Sequence, residues 1–204
     1  MPLHRHRLRT GPDGRVREQL AESLAALRAE LELPDALPPE VEAEAAEAAR
    51  TVPTDPAAAG VDDLRALPFL TLDPAGSRDL DQALAIEQTH DGAIVHYAIA
   101  DVAAFVEPGG AVDAEARRRG QTMYASDGRI PLHPTALSED AASLLPDRDR
   151  RALVWRFELD AAARVTAVSL RRATIRSRRQ WAYPEAQAAI DDGSAPPQLA
   201  ALAW

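Results

Sequence analysis

The tightest constraint on this chain is a pair of short segments, 81–89 and 93–102, separated only by His90-Asp91-Gly92. DQALAIEQT and AIVHYAIADV read as strands, and the three residues between them read as a hairpin turn. A chain committed to that hairpin must build a sheet around it. PFLTLD (68–73) reads as a further short strand. RALVWRFELD and RVTAVSLRRATIRS read as two more, joined by the alanines at 161–163. Helical segments lie between them: 111–121, closing at Gly120, 138–145, with an acidic first turn behind Ser138, and AYPEAQAAIDDG, ending at Gly193. A short extended piece at Met123-Tyr124 leads into the loop DGRIPLHP. The expected fold class is α+β, a mixed and largely antiparallel sheet with packed helices.

A small helical segment precedes that core. Residues 1–16 read as a basic arm. From Arg17, Leu20, Leu24, Leu27 and Leu31 recur at spacings of 4, 3 and 4, one apolar face of a helix. The prolines of LELPDALPP end it, and PPEVEAEAAEAAR reads as a second, acidic helix. TVPTDPAAAG is a linker by composition. The expected organisation is a 1–60 arm and two-helix segment, then a main domain over 61–204. The last residues, PPQLAALAW, start an apolar helix that stops at Trp204 without a cap. They read as a domain cut short; the alternative is a short helix docked on the sheet.

Composition narrows the chemistry. With no cysteine among 204 residues, disulfides, thiolate zinc sites and a cysteine nucleophile are excluded. No run approaches the ~18 apolar residues of a membrane span, and no apolar signal segment follows the start. Cytoplasmic residence is therefore expected. The net charge of −9 argues against a general nucleic-acid binder. Its distribution is uneven: residues 18–64 carry twelve acids against two arginines, whereas residues 164–204 carry six arginines against three acids. An acidic interaction module, with its 18–50 helices pairing with a partner, stays open on this evidence.

The residues that carry chemistry lie in LDPAGSRDLDQAL. Asp73, Asp79 and Asp81 fall within nine residues, with Pro74 and Gly76 turning the chain between them. Asp79 and Asp81, two apart in an extended chain, point to the same side. Converging carboxylates repel unless a cation pairs with them, and hard oxygen ligands select Mg²⁺, Mn²⁺ or Ca²⁺. The central glycine and twelfth-position glutamate of an EF-hand are missing. Spacing alone does not separate a metal site from solvated turns. The position between buried strands favours the metal, as does Asp101 closing the neighbouring strand as a further acid.

LDPAGSRDLDQAL followed by HYAIADVAAFVEPGGAVDAEARRRGQTMYASDGRIPLHPTALSEDAASLLP resembles the catalytic (RNB) domain of the ribonuclease II/R family, from about Pro68 to Asp191. The resemblance implies a processive hydrolytic exoribonuclease that degrades single-stranded RNA from the 3′ end, uses Mg²⁺ and releases nucleoside 5′-monophosphates. It implies that Asp73, Asp79 and Asp81 bind magnesium and position the water, with Asp79 and Asp81 central to catalysis. Gln82 stands where a fourth aspartate is common; its amide oxygen can still reach a metal, without charge. Tyr124 and Tyr183 match aromatic positions that stack on RNA bases, where core packing is the alternative. Arg172 and Arg176, on one face of their strand by alternation, are candidates for tracking the RNA backbone. No membrane and no obligate protein partner is implied. The family domain is expected to continue beyond residue 204 with an arginine-rich motif and a glutamate, and with flanking RNA-binding barrels. Gln82 and that missing continuation keep a second reading alive, a catalytically inactive RNA-binding remnant.

Overall fold

The computed structural model describes residues 14–34, 36–125 and 128–203. The basic arm, apart from its last residues, lies outside them. Three helices come first: α1 (Gly14–Glu30), α2 (Pro39–Thr51) and the single turn α3 (Pro56–Ala59), the last within the stretch expected as linker. A seven-stranded sheet follows in the spatial order β1-β8-β7-β4-β3-β2-β9. Its strands are β1 (Asp62–Asp63), β2 (Leu70–Asp73), β3 (Gln82–Thr89), β4 (Gly92–Ala100), β7 (Asp149–Asp160), β8 (Val165–Arg176) and β9 (Arg179–Ala182). The hairpin β5 (Met123–Ala125) with β6 (Gly128–Ile130) stands apart as a second sheet. Helices α4 (Ala111–Arg119), α5 (Tyr183–Asp191) and α6 (Pro197–Ala200) complete the fold. The expected α+β class is what is found, with four antiparallel pairings in the main sheet and two parallel ones at its edges.

Alternation along the strands decides which face is core. Ala83, Ala85, Ala98, Ala152, Val154, Ala173 and Ile175 point to one side and pack under Phe69, Leu80 and Leu144. Small side chains there let the covering segments approach closely. On the opposite face, the cross-strand row Leu84, Tyr97, Trp155, Leu170 runs beside Ile86, Val95, Phe157, Val168. Trp155 stacks on Phe157 in that layer, while Trp181 lies buried in the core. The β3–β4 turn needs Gly92, because a Cβ there would sit 1.9 Å from the Leu159 carbonyl oxygen.

Two satellite cores surround the sheet. In one, Val41 and Ala45 of α2 pack with Phe105, Val112 and Leu137, so α2 lies against the residues that follow β4. The Glu44 carboxylate also accepts the backbone N–H groups of Ala111 (2.7 Å) and Val112 (3.1 Å), capping α4 from another element. In contrast, the apolar stripe of α1 is unpacked: Leu20, Leu27 and Leu31 are exposed. In the other core, α6 docks through fully buried Leu199 against Leu70, Trp181 and Ala186. No helix among the described residues is long and apolar enough to cross a membrane.

Candidate active site

Two segments carry the three acids, and each is held for a visible reason. Asp73 ends β2, whose parallel neighbour β9 fixes it opposite Ala182. Pro74 and Gly76, the latter at φ 83°, turn the chain, and Gln180 donates to the Ser77 carbonyl (3.0 Å) to secure the turn. Residues 78–81 then run extended into β3. Buried Leu80 anchors that run at both its backbone groups. Its N–H donates to Ser143 Oγ (2.9 Å), its carbonyl accepts from Leu144 N–H (2.8 Å), and the Ser143 hydroxyl donates to the Arg78 carbonyl (2.6 Å). Ala100 N–H binds the Asp81 carbonyl (2.9 Å). The flanking Asp79 and Asp81 therefore leave a rigid backbone into one cavity of about 400 Å³.

The carboxylates feel one another. Burial, then the charges of Asp79 and Asp81, pushes the Asp73 carboxyl up to about 6. Burial, then Asp79, raises Asp81 as well. Both shifts come first from burial and then from neighbouring acid charge, and neither Asp73 nor Asp81 has an ion-pair partner among the described residues. Among the described residues, however, no three acids or histidines are gathered closely enough to hold a metal ion. Asp79 is drawn aside by Arg129, whose guanidinium sits 2.6 Å from Asp79 Oδ2 and also pairs with Glu139. The donor chemistry fits a hard divalent ion, although the acids are not gathered around one point.

The other expected residues separate into two groups. Tyr124 is 76% exposed on β5 and lines the same cavity as Asp79 and Asp81. Tyr183, 57% exposed, begins α5 one residue after the register partner of Asp73. Neither is a core residue. Gln82 lines the cavity, but its amide oxygen accepts the Tyr97 hydroxyl. Arg172 and Arg176 are not brought to the cavity. Arg172 Nε lies 3.2 Å from Asp101, and Arg176 lies 2.6 Å from Asp149. Asp101, expected beside the acid cluster, is buried and turned to Arg172 and Arg151 instead. The run Arg117–Arg119 is spent on Asp113 and Glu115.

Sequence reasoning missed Arg129 and Ser143. Both sit in segments that contact the acids only through tertiary packing, so spacing carries no signal for either. His133 also lines the cavity; its Nδ1 is buried without a partner, and burial lowers its pKa.

A family model described as RNB domain matches residues 61–202. The chain belongs to the RNB domain family. It is 38% identical over 188 residues to Ribonuclease R of Acidithiobacillus ferrooxidans, covering 89% of this chain and 43% of that protein. It is 37% identical over 134 residues to the human Exosome complex exonuclease RRP44, covering 65% of this chain and 14% of that one. Among solved structures, the apo form of Mycoplasma genitalium RNase R superimposes with a TM-score of 0.78 at 27% identity, covering 86% of this chain and 27% of that chain. The same enzyme in complex with ribose methylated single-stranded RNA gives 0.74 at 25% identity, covering 86% and 27%. The chain thus spans less than half the length of these relatives.

Proposed function

We propose that this RNB chain works as a hydrolytic 3′-to-5′ exoribonuclease on single-stranded RNA in the cytoplasm, releasing nucleoside 5′-monophosphates with Mg²⁺, or Mn²⁺ in its place. The observation that carries the reading is that Asp79 and Asp81 enter one cavity rimmed by exposed Tyr124, with the Asp73 and Asp81 carboxyls raised by burial and by neighbouring acid charge. Asp73, Asp79 and Asp81 would hold the ion, with the Gln82 amide oxygen as a neutral fourth donor. A bound divalent ion supplies charge neutralisation at the scissile phosphate and an acidified water. Asp79 and Asp81, which line the cavity, would hold and orient that water. Tyr124 and Tyr183 give the terminal bases a face to stack on, worth ~1–3 kcal/mol per base and tolerant of any base. Arg172 and Arg176 would meet RNA away from the cavity, after exchanging their aspartate partners for phosphate.

Incubating the chain with 5′-labelled single-stranded RNA and Mg²⁺ tests this. A ladder shortening by single nucleotides, abolished by chelation, is the expected result. Gln82 favours a second reading, because it removes one charge from the site. In that case the RNA is retained at low salt and stays intact under every divalent ion.

A further inference from the structure

Of the three acids, Asp79 alone has an ion-pair partner among the described residues. That partner, Arg129, comes from a different part of the molecule. It sits on β6, directly across from Tyr124 of β5, in a hairpin that shares no ladder with the main sheet. One arm of its guanidinium holds Asp79 at 2.6 Å, and the other holds Glu139 of the π-helical turn Leu137–Ala141. The side chain is about one-third exposed, so neither bond is locked in by packing.

We propose that Arg129 is the resident counter-cation of Asp79, a positioning residue that holds this carboxylate and competes with a divalent ion for it. The proposal rests on the metal-site reading given above. Arg129 Nη1 takes Asp79 Oδ2 and offsets its charge while leaving Oδ1 open, so a divalent ion binds Asp79 against the guanidinium's positive charge. With glutamine at 82, the cluster has no spare acid, and pairing Asp79 with Arg129 leaves two carboxylates without an ion-pair partner among the described residues. Glu139 gives Arg129 a second anchor, so the ion can take Asp79 without expelling the arginine into solvent. With the inner arm released, Arg129 and the hairpin that carries Tyr124 stay held through Glu139.

The test is Mn²⁺ titration of the chelator-stripped chain, followed by electron paramagnetic resonance of the free ion. Arg129→Gln should bind Mn²⁺ about threefold to fivefold more tightly than wild type, the scale of one exposed ion pair removed from competition. Arg129→Lys, which keeps the charge but reaches one carboxylate, should fall between them. A merely structural role for Arg129 predicts the opposite sign, because loosening the hairpin weakens the site. Equal or weaker binding by Arg129→Gln overturns the proposal. Should that variant fail to fold by circular dichroism, Arg129→Lys decides by the same sign. Asp81→Asn separates this from the reading beneath it: loss of binding there upholds the metal site whatever Arg129 does. No Mn²⁺ uptake by wild type and Arg129→Gln alike overturns both.

Discussion

Asp73 carries the clearest pH signature in the molecule. Its carboxyl is pushed up to about 6, so the folded chain holds this proton more tightly than the unfolded chain. Metal-free protein should therefore gain stability as pH falls from 7 through 6 toward the ordinary carboxylate range. Asp73→Asn should flatten that gain, measured by denaturant melts at stepped pH. Divalent-ion affinity has the opposite dependence and should fall through the same window, as the proton competes for the ligand. Gln82→Asp should tighten ion binding by about tenfold at neutral pH, as added ligand charge does at oxygen sites, and should destabilise the apo chain. The crowding of Asp73, Asp79 and Asp81 was legible in the sequence, but spacing alone did not separate a metal site from solvated turns, and strand context and the resemblance were needed to favour it. Arg129 was not, since fifty residues separate it from Asp79 and its segment reads as a loop. The bond from Tyr97 to Gln82 was equally hidden: it depends on strand register.

The π-helical turn and its exit hold the acids in place at the level of elements. Ser143 satisfies the Leu80 N–H and the Arg78 carbonyl together. Ser143→Ala should cost ~1–3 kcal/mol in chemical denaturation, because it orphans a buried donor. Helix α4 is held by a second device. Arg119, 2% exposed, binds Glu115 at 2.7 Å and the carbonyls of Pro131 and Ala36. Arg119→Ala should cost ~3 kcal/mol, since Glu115 then remains buried with only Arg118 beside it. The long strands and α4 were readable from alternation and the closing glycine. Strand β9 was not, because a four-residue parallel edge strand owes its existence to β2, more than a hundred residues earlier. The strand β6 fell inside a stretch read as loop for the same reason: its ladder is only three pairs long.

At the scale of the whole molecule, the two N-terminal helices differ in kind. Removing residues 1–34 should leave the melting temperature nearly unchanged, since the stripe Leu20, Leu27 and Leu31 is exposed. Removal through residue 52 should unfold the chain, since Val41 and Ala45 then leave a core and α4 loses its Glu44 cap. Amphipathic spacing alone could not rank these helices, because a leucine stripe shows what a helix can bury and not whether a partner surface exists. The alanine-rich α2, which has no leucine stripe, is the one that packs. The central claim concerns the acids themselves, and Asp81→Asn measured against wild type addresses it most directly, with RNA binding and RNA shortening followed in parallel on one labelled single strand. The account predicts binding within a few-fold of wild type and no stepwise shortening. A variant that still shortens the strand at the wild-type rate would contradict it.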